Sequence, residues 1–274
     1  MPGRLSVAIV TFRPDLALLQ RTLATLAGAA LRAREAGELS SASLFVVDNG
    51  PAASSQSVNE RLAEWPAARG PAHFVTGHGN VGYGRGNNLA LAGLASDVHL
   101  ILNPDVELDR EALAAGLRTL RENPDVGLVA PDVHAPSGTR EFLCRRYPTV
   151  WVLFLRGFAP AFLRRRFAAD LEHYEMRDAL GDRLVKGVPI ASGCFQLART
   201  ALLQRLGGFD PRYFMYFEDY DLSLRVARES SIAYDPAARI VHHGGGAARK
   251  GVRHLAWFFA SGFRFFSRHG WKWR

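Results

Sequence analysis

The first 130 residues alternate short apolar runs with stretches of helix length, and that alternation restricts what the chain can build. Strands are read at 5–12, 44–48, 73–76, 98–103 and 126–130, with helices at 14–37, 55–65, 84–95 and 109–122 between them. Pro14 suits a first helical turn, Gly37 a C-terminal cap, and Asn123-Pro124 a stop. Strands joined by such helices form a right-handed, parallel α/β sheet, whose ligands bind outside the carboxyl ends of the strands. The second half is less regular: a loop region at 131–150, an aromatic and basic stretch at 151–175, a strand at 190–198, a helix at 219–228, a strand at 233–241 and a terminal helix at 252–268. One α/β domain with an appendage is expected.

Composition narrows the setting. With 48% hydrophobic residues in 274, the chain has ample material for a core. Cys144 and Cys194 are too few for a disulfide framework, which points to a reducing cytoplasm. The run 5–12 is too short and too early for a secretory segment, and no run of 18 apolar residues occurs, so the chain is expected in the cytosol, against a membrane. A net charge of +8 calls for an anionic partner. Arg145-Arg146, Arg164-Arg165-Arg166, Arg249-Lys250, Arg253, Arg264, Arg268, Lys272 and Arg274 lie among Trp and Phe, a pattern that favours an anionic membrane surface over a duplex. Without Cys/His finger spacing or an aromatic RNA-binding strand, no nucleic-acid partner is expected.

Two acid groups stand where stability alone does not explain them. Leu100-Ile101-Leu102 runs into Asn103-Pro104-Asp105, so a buried strand stops at a proline and delivers a carboxylate at its C-terminal end. Farther on, Phe217-Glu218-Asp219-Tyr220-Asp221 crowds three acids among aromatics that can exclude water. One carboxylate suited to a divalent metal and a separate acid cluster suggest metal-assisted group transfer. Asp48-Asn49 closes another strand, where Asp48 can accept from a base or a ribose, or cap a helix. Asn80-Val81-Gly82-Tyr83-Gly84-Arg85-Gly86-Asn87-Asn88 precedes a helix, and its glycines permit close backbone approach to a phosphate or sugar. It is not the dinucleotide fingerprint, because the glycine spacing is wrong and no acid follows at the required distance.

Taken in order, the strand ending in Thr11, Val46-Val47-Asp48-Asn49, the Asn80–Asn88 glycine segment, Leu102-Asn103-Pro104-Asp105, Glu218-Asp219-Tyr220-Asp221 and His242-His243-Gly244-Gly245 resemble the inverting nucleotide-sugar glycosyltransferases of the GT-A fold, and among them the bacterial rhamnosyltransferase-like branch. The resemblance spans about residues 5–247. It implies a Rossmann-like, mostly parallel sheet flanked by helices, with a nucleotide-binding half at 1–130, an acceptor-binding half at 131–247 and an amphipathic segment at 248–274. It places Thr11, Asp48, Asn80, Gly82, Gly86, Asn87, Asn103 and Asp105 on the donor, with Asp48 on the base and Asn103-Pro104-Asp105 where relatives carry Asp-x-Asp. Ser192-Gly193-Cys194-Phe195, read as preceding a helix, matches the acceptor-side loop, with Ser192, Gly193 and Glu218 on the acceptor. The chain departs at Asn103, which replaces the first acid, and at Ala247, where His-x-Gly-Gly-x-Ser ends in Ser. The resemblance alone suggests a dTDP- or UDP-linked donor, dTDP-L-rhamnose first, and a lipid-linked glycan acceptor beside the inner face of the plasma membrane.

The chemistry can be argued beside the resemblance. Mg²⁺ or Mn²⁺ held by Asp105 would neutralise the charge of a departing diphosphate, and His242 is a second ligand compatible with Mn²⁺, unless it is structural. Inversion needs one in-line attack, so one carboxylate must take the acceptor proton; Asp219 is assigned that role, with Glu218 orienting it or an acceptor hydroxyl. Asp221 is assigned to structure, and Arg225 either to its ion pair or to the donor diphosphate; Cys194 is a small core residue. A sugar-1-phosphate nucleotidyltransferase would need a basic, glycine-rich loop where this chain has Thr11-Phe12-Arg13-Pro14. On a helical wheel over 252–268, Val252, Leu255, Ala256, Phe258, Phe259, Phe263, Phe265 and Phe266 share one half, and Arg253, Trp257, Ser261, Arg264 and Arg268 the other. Such a helix covers the core or lies in a membrane interface.

Overall fold

Strands and helices alternate as the apolar pattern requires in the computed structural model, which describes residues 3–244 and 251–274. The first half runs β1 (Gly3–Thr11), α1 (Leu16–Glu35), β2 (Leu39–Asp48), α2 (Ala52–Ala63), β3 (Ala72–Val75), α3 (Tyr83–Leu91), β4 (Val98–Leu102), β5 (Val106–Leu108), α4 (Ala112–Glu122) and β6 (Val126–His134). Then follow β7 (Arg140–Glu141), β8 (Cys144–Arg145), α5 (Val150–Gly157), α6 (Ala161–Arg166), α7 (Ala168–Tyr174), β9 (Val185–Lys186), β10 (Ile190–Ala191), β11 (Phe195–Arg199), α8 (Thr200–Arg205), α9 (Glu218–Glu229), β12 (Ser231–His242) and α10 (Val252–His269). Gly245, Ala247, Arg249 and Lys250, and with them the boundary at 247, lie outside the described residues.

The sheet has the order β3-β2-β1-β4-β11-β6-β12-β5, with β7 on β6 and β9 on β12. β3, β2, β1 and β4 are parallel, as βαβ crossovers demand. β11 enters antiparallel between β4 and β6, β6 and β12 are parallel, and β5 closes the edge antiparallel to β12. The sheet therefore continues through residue 130, which lies within β6. β4 and β6 are buried at every residue because helices cover both faces. Asp15 caps α1 by accepting from the amides of Ala17 and Leu18, and Leu19, Leu23, Leu26 and Ala30 of that helix join α4 against one face. Each such leucine contributes about 1.5–3 kcal/mol by burial. Leu91, Leu202, Leu222 and Val226 of α3, α8 and α9 fill the other face.

Three expectations change. The strand expected at 190–198 is broken at 192–194, so Ser192-Gly193-Cys194-Phe195 leads into β11, not a helix. The loop region at 131–150 contains the end of β6 with β7 and β8, and the stretch at 151–175 is three short helices. On α10, Ser261 belongs to the buried side, where its Oγ donates to the Met215 carbonyl at 2.8 Å. Gly262, Phe265 and Phe266 are buried with it, against Phe217 and Tyr213, while Val252, Leu255, Phe259 and Phe263 stay exposed. The buried side is turned by about a quarter of a revolution from the centre of the apolar half. Gly262 allows close approach to Phe217, and the Ser261 hydroxyl has a backbone partner there, so polarity does not mark this seam.

Candidate active site

At the carboxyl ends of the parallel strands, Thr11 and Asp48 are partners in register, both wholly buried. Thr11 Oγ1 donates to Asp48 Oδ1 at 2.7 Å and Ser55 Oγ to Oδ2 at 2.5 Å. This holds the ends of β1 and β2 to α2 and leaves each oxygen a further lone pair. Ser55 was not legible, because nothing in sequence marks a helix serine as the partner of a strand-end acid. Asn49 extends the cluster: its Nδ2 donates to the Gly82 carbonyl at 3.1 Å, and its Oδ1 lies 2.9 Å from His78 Nε2.

The glycine segment approaches the protein itself. Asn80 Oδ1 accepts from the Gly82 amide at 3.1 Å, closing a turn in which Gly82 has φ 88°. A Cβ on Gly82 would lie 2.3 Å from the Phe214 carbonyl oxygen, one on Gly84 2.9 Å from Phe209, and one on Gly86 2.8 Å from Val10. Asn87 is buried, with Nδ2 donating to the Tyr83 carbonyl at 3.0 Å and Oδ1 without a partner. These residues seat α3 closely, and Asn80 alone among them is exposed.

Asn103 and Asp105 leave β4 toward the later elements. The Asn103 amide donates to the Cys194 carbonyl at 2.9 Å, and the His243 amide to the Asp105 carbonyl at 2.9 Å. Antiparallel pairing sets His242 opposite Val106, which brings its Nε2 to 3.5 Å from Asp105 Oδ1, without hydrogen-bond geometry. That oxygen is buried and unpartnered. Burial would raise the Asp105 carboxyl, but the His242 imidazole, with His243, holds it below its ordinary value. His243 is committed elsewhere, at 2.5 Å from Glu107. A free carboxylate oxygen suits Mn²⁺ or Mg²⁺, and the imidazole beside it is compatible with Mn²⁺. Among the described residues no three such side chains converge, so donor phosphates and water would complete the coordination.

The acid pair closes the arrangement. Tyr216 and Phe217 have φ of 70° and 64°, and this left-handed turn opens α9 at Glu218. Asp219 Oδ2 accepts from the Gly193 amide at 2.9 Å and Oδ1 from the Tyr220 amide at 2.9 Å, while Tyr83 donates to the Gly193 carbonyl at 2.6 Å. The glycine segment, expected to precede a helix, instead forms the first turns of α3 from Tyr83 onward, and the broken strand at 192–194 is thus clamped between the start of that helix and the acid pair. Tyr83 was not foreseen, since a tyrosine inside a glycine run reads as packing.

A family model described as glycosyl transferase family 2 matches residues 6–207. The chain belongs to that family. Membership makes this family 2 protein a nucleotide-sugar glycosyltransferase. It is 28% identical over 288 residues to the N-acetylglucosaminyl-diphospho-decaprenol L-rhamnosyltransferase of Mycobacterium tuberculosis strain H37Rv, covering 100% of this chain and 88% of the relative. It is 24% identical to the rhamnosyltransferase WbbL of Escherichia coli K12, covering 71% of this chain and 73% of that one. Among solved structures, the fold matches mannosyltransferase PcManGT from Pyrobaculum calidifontis in complex with GDP-Man and Mn²⁺, with TM-score 0.59, 18% identity and 96% of this chain. It also matches GalNAc-T7 with UDP, GalNAc and Mn²⁺, with TM-score 0.61, 12% identity and 98% of this chain. The chain spans 65% and 51% of those two longer proteins.

Electrostatics separate the two acids of this family 2 transferase. Burial, then the charge of Asp219, pushes the Glu218 carboxyl up to about 8, and its Oε2 has no partner. Burial also raises Asp219, opposed by the amides of Gly193 and Tyr220 and by Arg145. Two backbone amides favour the charged form of Asp219 and no donor reaches Glu218 Oε2, so within this pair Glu218 is the acid that holds a proton more readily. Burial lifts the Cys194 thiol to about 12, which fits a core residue. Asp221 and Arg225 pair at 2.7 Å, and Arg225 also donates to the carbonyls of Leu206 and Gly208, so both serve structure. A surface depression between α2 and β3, lined by Asn59, Trp65 and Phe74, lies apart from the site and has no titratable group.

Proposed function

We propose that the chain is a metal-dependent inverting transferase that moves one sugar, L-rhamnose from dTDP-L-rhamnose, onto a growing lipid-linked bacterial surface polysaccharide. The observation that carries this reading is the Gly193 loop, which ties the Asp105 and His242 strand ends to the Glu218-Asp219 pair through Asn103, Tyr83 and Asp219. Asp48 and Thr11 would hold the base, Asn80, Gly82 and Asn103 the ribose and diphosphate, and Gly86 and Asn87 would act by seating α3. Asp105 and His242 would hold Mn²⁺ or Mg²⁺, which supplies charge neutralisation to the departing diphosphate. Asp219, in the charged form its two backbone amides favour, takes the proton from an acceptor hydroxyl. The hydroxyl oxygen bonds to the anomeric carbon as the carbon–phosphate oxygen bond breaks, and its electron pair leaves with the nucleoside diphosphate. Protonated Glu218 donates a hydrogen bond to an acceptor oxygen, and Ser192 and Gly193 line the acceptor side.

Support for the sugar and the acceptor comes from the two rhamnosyltransferase relatives, one of them named for a decaprenol-linked substrate. A lipid-linked acceptor would bring the enzyme to the cytoplasmic face of a membrane as a peripheral protein. Among the described residues no helix is long and apolar enough to cross a membrane. The test is a panel of nucleotide sugars with Mn²⁺ or Mg²⁺, read by thermal stabilisation and by product formation on an N-acetylglucosaminyl-diphospho-lipid. Stabilisation by dTDP-L-rhamnose above all others is expected; equal response to a different donor overturns the sugar, and no response to any donor overturns the reading.

A further inference from the structure

Nine of the large hydrophobic side chains left in solvent belong to two segments, 154–162 and 252–273: Phe154, Phe158 and Phe162, then Val252, Leu255, Phe259, Phe263, Trp271 and Trp273. Phe162, Phe263 and Trp273 are 63%, 66% and 69% exposed, far beyond what a surface needs. The segments form one surface. Phe158 stacks on Phe259 at 5.6 Å, Trp271 on Trp273 at 5.5 Å, and Phe263 meets Trp271 at 5.8 Å. The tail is stitched to α5 by its backbone: the Val150 amide donates to the Lys272 carbonyl at 2.9 Å and the Trp151 amide to that of Trp273 at 3.1 Å.

Charge identifies what covers this face. Residues 150–167 and 251–274 hold nine of the chain's 34 basic residues and none of its 26 acids. The remaining 25 basic and 26 acidic residues nearly cancel, so the whole surplus of +8 sits on these two segments. Arg268 is committed to Asp210 and Asp221, but Arg166 and Arg274 lie over the Phe167 ring and Lys272 over Tyr147, with their charges beside the aromatic plane. Exposed aromatics rimmed by unopposed cations match the interfacial region of a bilayer, where rings enter the headgroup level and cations meet lipid phosphates.

We propose that α5, α6, α10 and the tail form a platform that seats on an anionic phospholipid bilayer, a proposal that rests on the lipid-linked acceptor of the reading above. The platform is also in contact with the site. Phe217 packs on Phe258 and Phe265 of α10 at 5.2 and 5.3 Å, and the next residue is Glu218. The turn that opens the acid pair is thus braced against the helix that carries the platform.

The experiment uses the full chain with phosphatidylcholine vesicles, with and without phosphatidylglycerol, in co-sedimentation at low and high salt. Binding to anionic vesicles, lost at high salt and absent on neutral vesicles, is expected. Two variants on exposed side chains divide the contributions: F158S/F259S/F263S, and R164Q/R165Q/R166Q. Each cation near an anionic surface is worth about a factor of five, so the second variant should bind about a hundredfold more weakly. Both should keep the wild-type melting temperature and activity on a short soluble acceptor. No vesicle binding by the wild type, or variants that bind as it does, overturns the platform while soluble-acceptor turnover still upholds the transferase. A wild type that dimerises, and becomes monomeric in F158S/F259S/F263S without binding vesicles, makes the face a self-interface and overturns it too. Loss of turnover on every acceptor by the wild type refutes the reading beneath it.

Discussion

Glu218→Gln tests the division of labour between the two acids through stability as well as rate. The Glu218 carboxyl has an ordinary value of 4.5 and is pushed up to about 8, first by burial and then by the Asp219 charge. Between those values the folded protein keeps a proton that the unfolded chain releases, so stability falls as pH rises, by about 1.4 kcal/mol per unit. The deficit is under about 1 kcal/mol at pH 5, about 3 kcal/mol at pH 7, and constant above the folded value. Gln is neutral at every pH and keeps the shape, so it removes the deficit. Its stability relative to wild type should grow by about 2.5 kcal/mol from pH 5 to pH 7 and level off above about pH 8. Urea unfolding of both proteins at pH 5, 6, 7 and 8 measures this. Turnover supplies the second reading: wild-type kcat should fall above about pH 8, when a second charge appears beside Asp219, and the Gln variant should lack that limb with only a small loss at pH 7. A stability difference that does not change with pH, or a kcat loss at pH 7 larger than that of Asp219→Asn, would refute the assignment and exchange the two roles.

Asp219→Asn cannot take a proton, so kcat should fall by about 10²–10⁴ with donor affinity nearly intact; its amide nitrogen must face one of the two backbone amides, so a lower melting temperature is also expected. Asp105→Ala should abolish turnover and the metal-dependent part of donor binding while the metal-free melting temperature falls only slightly, because the variant loses the charge contact with His242 but no hydrogen bond to Oδ1; full activity in excess EDTA would sink the metal assignment. Gly82→Ala combines a positive φ with a Cβ 2.3 Å from the Phe214 carbonyl oxygen, so unfolding should cost about 3 kcal/mol less, and an unchanged melting temperature would show that the turn relaxes.

What was legible follows from which signals are local. Thr11, Asp48 and Asp105 were readable as strand-end residues because an apolar run and its stop lie within a few positions, and the parallel order of β3, β2, β1 and β4 followed from helix-length connections. His242 met Asp105 through pairing of β5 with β12, which the order of motifs suggested but spacing does not encode. The antiparallel entry of β11 was not readable: a strand buried on both faces has the same apolar run in either direction. Nor was the left-handed pair Tyr216-Phe217, because positive φ in bulky aromatics costs free energy locally and persists only through tertiary contacts, here Phe258 and Phe265 on Phe217 and His254 on Tyr216. The same contacts explain why the helical wheel turned. A wheel assumes that polarity chooses the buried side, whereas α10 buries Ser261 and Gly262 to grip the turn that presents Glu218 and Asp219. The phenylalanines displaced from that seam lie in solvent beside the chain's surplus cations. One helix therefore has two tasks on adjacent sides, bracing the acid pair and offering an apolar, basic face, and a single amphipathic pattern could not report both.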